Sequence, residues 1–224
     1  MAQLSKSSVV ASVASVASLL NTQLKDTEQR LSALPIKSSE EKAELQAIQT
    51  KVKYFDHLAF LVNSNDKVVS ALYYVVKNTK ADAADLLKEI ASNSYSLDKF
   101  GFILNAVALS SYAYDTANMS ACNIMAALDF IRDGKDKFTM REYRSKMGTH
   151  KENAGRKADS GFTQTSQALK LCQRLGLVKH VGGKLSLGYA DFKVNTDNEL
   201  VKYLKSVFTK DKETQAELNL LIAA

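Results

Sequence analysis

Gln167, Lys170 and Arg174 stand at i, i+3 and i+7 in the segment Thr163–Leu175, with Gln164 one turn before them. At helical spacing these long polar side chains share one side, and Ala168, Leu171, Cys172 and Leu175 form an apolar stripe on the other. Such a face offers the hydrogen-bonding chemistry of base and phosphate recognition. A glutamine amide can bond an adenine edge through two atoms, and lysine or arginine can reach guanine or a phosphate oxygen. Lys179 and Lys184 follow on either side of Gly182-Gly183, and Arg141, Arg144, Lys146, Lys151, Arg156 and Lys157 precede. From Thr139 to Lys184 there are ten bases against three acids, so this segment carries +7 and the rest of the chain −1, within a total of +6. A surplus confined to one segment is the electrostatic footprint expected of a surface that meets a polyanion.

Three elements must position these groups. Thr139 and Glu142 have capping-box spacing, which starts a helix at Met140; Gly148, after Met147, is placed to end it. Thr163 or Thr165 caps the next helix, which Gly176 closes. Gly182-Gly183 then reads as a two-residue hairpin turn, because it suits positive φ angles. Pairing Val181 with Lys184 puts Val178, His180, Leu185 and Leu187 on an inner face and sends Lys179 and Lys184 outward.

Phe138–Tyr189, with the helix Met119–Ile131 before it, resembles the winged helix-turn-helix domain, whose passage into the wing is similar to the run Leu175-Gly-Leu-Val followed by Gly182-Gly-Lys-Leu-Ser-Leu187. The resemblance covers about a third of the chain. It implies that Thr163–Leu175 is a recognition helix and that the hairpin is a wing meeting phosphates. One departure is the long connection Gly148–Phe162 where the family has a short turn. Its His150, Lys151, Arg156 and Lys157 make it a basic arm with Gly155 and Gly161 as hinges, expected to tighten on nucleic acid or to be an inert insertion.

The rest of the chain reads as helices. One proline and nine glycines in 224 residues favour long helices with short connections over a β sandwich. Residues near Ser5 to Leu34 form an amphipathic helix ended by Pro35, and Ser39 to Val62 forms a second with a coiled-coil-like seam. Further helices are expected over Lys67–Lys77, Lys80–Ser92, Leu97–Ala113, Met119–Ile131 and from Thr196 onward. The fold class is therefore mainly α: an N-terminal helical bundle (1–117), a winged-helix-like unit with a two-stranded hairpin (118–192) and C-terminal helices (193–224).

Little catalytic chemistry is present. The chain has no phosphate-binding glycine loop, no nucleophile elbow and no metalloprotease helix. His57, His150 and His180 are too scattered for a metal site, so neither an enzyme nor a metal or cofactor is expected. Cys122 and Cys172 sit in apolar contexts and read as buried thiols in a reducing, cytoplasmic compartment. No run looks long and apolar enough to cross a bilayer, so no membrane role is expected.

Three functions fit. The first is a DNA-binding protein of transcription regulation or replication, with RNA polymerase or replication machinery as partner. The second is a single-strand DNA- or RNA-binding polymerase cofactor of the kind found among viral proteins, with Tyr143, Phe162 or Tyr189 stacking bases. The third is a helical interaction protein assembling as a homo-oligomer through the seam Leu45–Val62.

Overall fold

The structure is a computed structural model and describes residues 4–111, 119–157 and 162–209. Among the described residues 75% are helical and one small sheet is present, so the fold is mainly α. Helices α1 (Lys6–Ser32) and α2 (Ser39–Ser64) form a hairpin around Pro35. Each opens on a reciprocal capping box, Ser5 with Ser8 and Ser38 with Glu41. These boxes satisfy N–H groups that the first turn leaves unpaired. The expected seam is used inside the chain, since Val52, Phe55, Leu58 and Val62 of α2 are buried alongside Val9, Val13 and Val16 of α1.

Within α1 an 18-residue window reaches a mean hydropathy of 1.2, so by length and composition it matches a membrane span, contrary to the expectation from sequence. Its valine stripe nevertheless packs against the other helices of the bundle.

Helices α3 (Asp66–Thr79), α4 (Ala83–Ala91) and α5 (Ser94–Leu109) are each capped by an Asn or Asp side chain: Asn65, Asp82 and Asn93. The Asn93 cap starts α5 at Ser94, in a stretch that reads as loop from sequence. Phe100, Ile103, Leu104 and Val107 of α5 are buried at the centre.

The second half runs α6 (Met119–Arg132), β1 (Lys137–Thr139), α7 (Met140–Asn153), α8 (Thr163–Arg174), β2 (Val178–Lys184), β3 (Tyr189–Val194) and α9 (199–209). The sheet is antiparallel, in the order β1-β3-β2. It has three strands where two were expected. The third is Lys137–Thr139, whose buried Phe138 stacks on Phe192 with ring centroids 5.6 Å apart.

The hairpin turn is also elsewhere. Gly182 and Gly183 lie within β2, opposite Asp191 and Ala190, and the chain reverses at a short 3-10 turn, Leu185–Leu187. A register shift between His180 and Gly182 displaces the pairing by one residue, and Leu187, in the turn beyond the last pair, is exposed and not on the inner face. The glycine pair serves close approach here. A Cβ on Gly183, at φ +73°, would lie 1.9 Å from the Tyr189 carbonyl oxygen. The backbone can pass only where there is no side chain.

Helix α7 starts at the Thr139–Glu142 capping box as expected but runs through Gly148 to Asn153. Met140, Tyr143, Met147, His150 and Lys151 form one continuous buried stripe, and that burial carries the helix past the glycine. Helix α8 has no side-chain cap; Thr165, one of its two expected caps, is buried with its hydroxyl unpaired.

One contiguous core links residues from Val9 to Phe208, so apolar packing crosses the expected boundary at 117/118. Helix α9 returns to α3. Asn78 donates to Asn198 at 2.6 Å, and the Tyr203 hydroxyl donates to the Lys67 carbonyl at 2.9 Å. Residues 210–224, the rest of the expected C-terminal helices, lie outside the described residues.

Candidate nucleic-acid interface

Antiparallel pairing dictates which side chains share a face of the sheet. Phe138, Phe192 and Val194 point inward onto an aromatic cluster with Phe130 and Tyr143. Their neighbours must therefore point outward. Lys137 stands directly opposite Lys193, and Lys193 directly opposite Lys179. Three lysines thus cross the sheet in one row. Lys184 joins the same face opposite Tyr189, a tyrosine that is 51% exposed. Asp191 is the carboxylate among them, and Lys193 lies 3.5 Å from Asp136 beside the sheet.

Like charges directly opposite on a sheet oppose its pairing, each by some tenths of a kcal/mol. The row therefore lowers the stability of the sheet that displays it, and a polyanion laid across it would reverse the sign. Lys137 and Lys193 are absent from the sequence-derived site. The signal that would have found them is the strand Lys137–Thr139, which is too short to stand out by periodicity.

The twelve expected contact residues separate into two groups. Arg141, Arg156, Lys157, Lys170, Lys179 and Lys184 are exposed. Others are engaged inside the protein. Lys151, expected on a basic arm, is 1% exposed because the first residues of that arm, to Asn153, continue α7. Lys146 pairs with the buried Asp129 at 2.9 Å. The Arg144 guanidinium sits 4.6 Å from the centre of the Phe162 ring, a cation–π contact that ties α7 to the start of α8. Gln164 accepts a hydrogen bond from Asn123 at 3.1 Å. Of the connection that was expected to be an arm, 158–161 lie outside the described residues.

The expected recognition face of α8 borders a cleft. Gln167, Lys170 and Arg174 line it from one side, and α4 and the start of α5 form the other. Arg174 makes a bidentate ion pair with Glu89 of α4, its Nε 2.7 Å from Oε1. The bonded guanidinium holds the Glu89 carboxyl below the usual glutamate range, and Glu89 raises Arg174 in turn. An α-helix with side chains is about 10–12 Å across, and the major groove about 12 Å wide. A helix flanked by other helices cannot sink deeply into such a groove.

Among the candidate stacking rings, Tyr143 is fully buried, its hydroxyl donating to the Asn123 carbonyl at 2.9 Å, and Phe162 is partly buried under Arg144. Tyr189 is the exposed one. Both cysteines are buried and free, and burial pushes the Cys172 thiol up to about 12. His57 hydrogen-bonds Asn105 at 2.9 Å, and His150 lies 3.0 Å from Asp129. No group of three or more metal-type ligands occurs among the described residues. No family model, curated protein or solved structure matches the chain.

Proposed function

We propose that the chain is a DNA-binding protein of transcription regulation or replication, which grips phosphates with the outer face of its three-stranded sheet. The observation that carries this reading is the in-register row Lys137, Lys193 and Lys179, extended by Lys184. The order helix, strand, helix, helix, strand, turn, strand from α6 to β3 supports a winged-helix-like unit, with the 185–188 turn as the wing tip. Because α8 is flanked by α4 and α5, backbone contacts dominate over base-edge contacts, and affinity depends on salt more than on sequence.

Tyr189 favours a second reading. It is half exposed, sits on the lysine face and pairs with Lys184, the combination of ring and cation on which a single strand stacks. Fluorescence anisotropy with duplex DNA, single-stranded DNA and RNA across a salt series tests both. A steep salt dependence with duplex preference supports the first reading, and stronger single-strand binding lost in Tyr189→Ala supports the second. No binding at low salt removes both and leaves a helical interaction protein.

A further inference from the structure

The outward side chains of the sheet fall into three rows, about 7 Å apart along the strands. Lys137, Lys193 and Lys179 form the first. Thr139, Asp191 and Gly182 form the second, with Asp191 on the central strand. Tyr189 and Lys184 form the third. A carboxylate thus stands between a row of cations and an exposed aromatic ring.

The middle row is a depression. Gly182 has no side chain, and Thr139 is small, its hydroxyl already accepting from the Glu142 N–H at 3.1 Å. A shallow groove of about 510 Å³ runs over this row, and Lys137, Thr139, Val181 and Asp191 are among the residues that line it. Val181 sits at the bulge of β2, 55% exposed, and gives the groove an apolar wall. The Asp191 carboxylate reaches toward the open space at Gly182, where a Cβ would lie 3.9 Å from its Oδ2. Asp191 is exposed, and no hydrogen bond or ion pair engages it among the described residues.

On a surface that grips phosphates such a carboxylate works against binding. It repels each phosphate, and a phosphodiester has only acceptors to offer it. Along a DNA strand the hydrogen-bond donors are on the bases, so a base edge is what satisfies Asp191. Counting donors selects the base. A carboxylate presents two acceptors side by side, and guanine presents two donors side by side, N1–H and the 2-amino group, on its Watson–Crick edge. Cytosine and adenine set an amino group beside a ring-nitrogen acceptor, and thymine sets one N–H between two carbonyls. Each of these would turn a lone pair toward a carboxylate oxygen. The Watson–Crick edge is open to a side chain only in an unpaired base.

We infer that Asp191 reads an unpaired guanine in a single strand laid across the sheet. Lys137, Lys179 and Lys193 hold its phosphates, and Tyr189 stacks a neighbouring base. This rests on the phosphate grip proposed for the same face and narrows its ligand to the single-stranded form.

Fluorescence anisotropy of the full chain tests it with three labelled single strands: oligo-dT, the same strand with one central dG, and the same strand with deoxyinosine there, a guanine without its 2-amino group. The dG strand should bind about tenfold tighter than the deoxyinosine strand, the loss expected of one hydrogen bond to a charged group. Asp191→Ala should erase that difference and bind plain oligo-dT at least as well as the parent, because a repulsive charge is gone. If Asp191 served only to offset the lysines, the variant would unfold at a lower temperature with the dG preference intact, which overturns the inference. Equal binding of the dG and deoxyinosine strands, or binding of duplex alone, also overturns it and leaves the phosphate grip standing, provided the sheet-lysine variants still weaken binding. No binding of any strand or duplex at low salt removes both.

Discussion

His150 Nε2 lies 3.0 Å from Asp129 Oδ2, between α7 and α6, and both side chains are almost fully buried. The same carboxylate is 2.8 Å from Arg132 and 2.9 Å from Lys146, so one acid holds three basic side chains. Removing it would take a bonded carboxylate from His150 and Lys146, while Arg132 would keep Asp133, 2.9 Å away. Asp129→Ala is expected to cost about 3–5 kcal/mol, the range for breaking a buried pair from one side. Urea denaturation checks this, and a loss below about 1 kcal/mol, typical of a surface pair, would refute it.

The two glycines of β2 should behave differently. Gly183→Ala places a methyl against the Tyr189 carbonyl at a positive φ and should cost about 1–3 kcal/mol or more. At Gly182 the nearest atom, an Asp191 carboxylate oxygen, is 3.9 Å away and φ is ordinary, so Gly182→Ala should be nearly neutral. Thermal unfolding of the two variants side by side tests the register. Equal losses would point back to a Gly-Gly turn.

The lysine row makes a paired prediction. Replacing Lys137, Lys179 and Lys193 together with glutamine should reduce the slope of log affinity against log salt by about 3, close to one for each lost phosphate contact. The same variant should be at least as stable as the parent, because opposed like charges are removed from the sheet. Weaker binding accompanied by lower stability would mean that the lysines support the fold and not a ligand.

Acid should release the Glu89–Arg174 pair. Arg174 holds Glu89 below its ordinary value of 4.5, so the pair's contribution is complete at neutral pH and is lost as the pH falls through Glu89's lowered value. Both groups are substantially exposed, so the contribution is about 1 kcal/mol or less. Glu89→Gln should lower the unfolding midpoint at pH 7 and have no effect once the parent's Glu89 is protonated. A difference that persists in acid would argue against the ion pair.

Burial of both cysteines predicts thiols that are silent in the native state. Burial raises Cys122 as well as Cys172, so little thiolate exists at neutral pH. A chromogenic disulfide reagent should react with both thiols in denaturant and with neither in buffer. Fast reaction of Cys172 in buffer would contradict its placement.

Most of the helices were legible because they carry their own punctuation. Ser38 with Glu41, Asn65, and Thr139 with Glu142 all cap where their spacing says they should. The sheet was less legible for a physical reason. A three-residue strand such as Lys137–Thr139 has no period to read, and its existence depends on β3, more than fifty residues later in sequence. The Gly182-Gly183 pair was misread because glycine signals either a turn or a close backbone contact, and the choice rests with the partner strand. Lys151 and Arg174 show the limit of counting charges: one is drawn inside by the stripe of α7 and the other is held by an acid on α4. Neither event has a local sequence signal. On the sheet Lys137, Lys179, Lys184 and Lys193 share one outward face.

The return of α9 to α3 has a practical meaning for anyone cutting the protein into pieces. Residues 193–209 supply Leu200, Val201, Leu204 and Phe208 to packing that begins at Val9, so both halves are fastened by the same clasp. A fragment ending after the third strand would expose an unsheathed oily surface on the bundle. It would tend to aggregate before it could reveal whether the lysine-bearing face is competent, and the useful reagent is the intact polypeptide with single side chains exchanged.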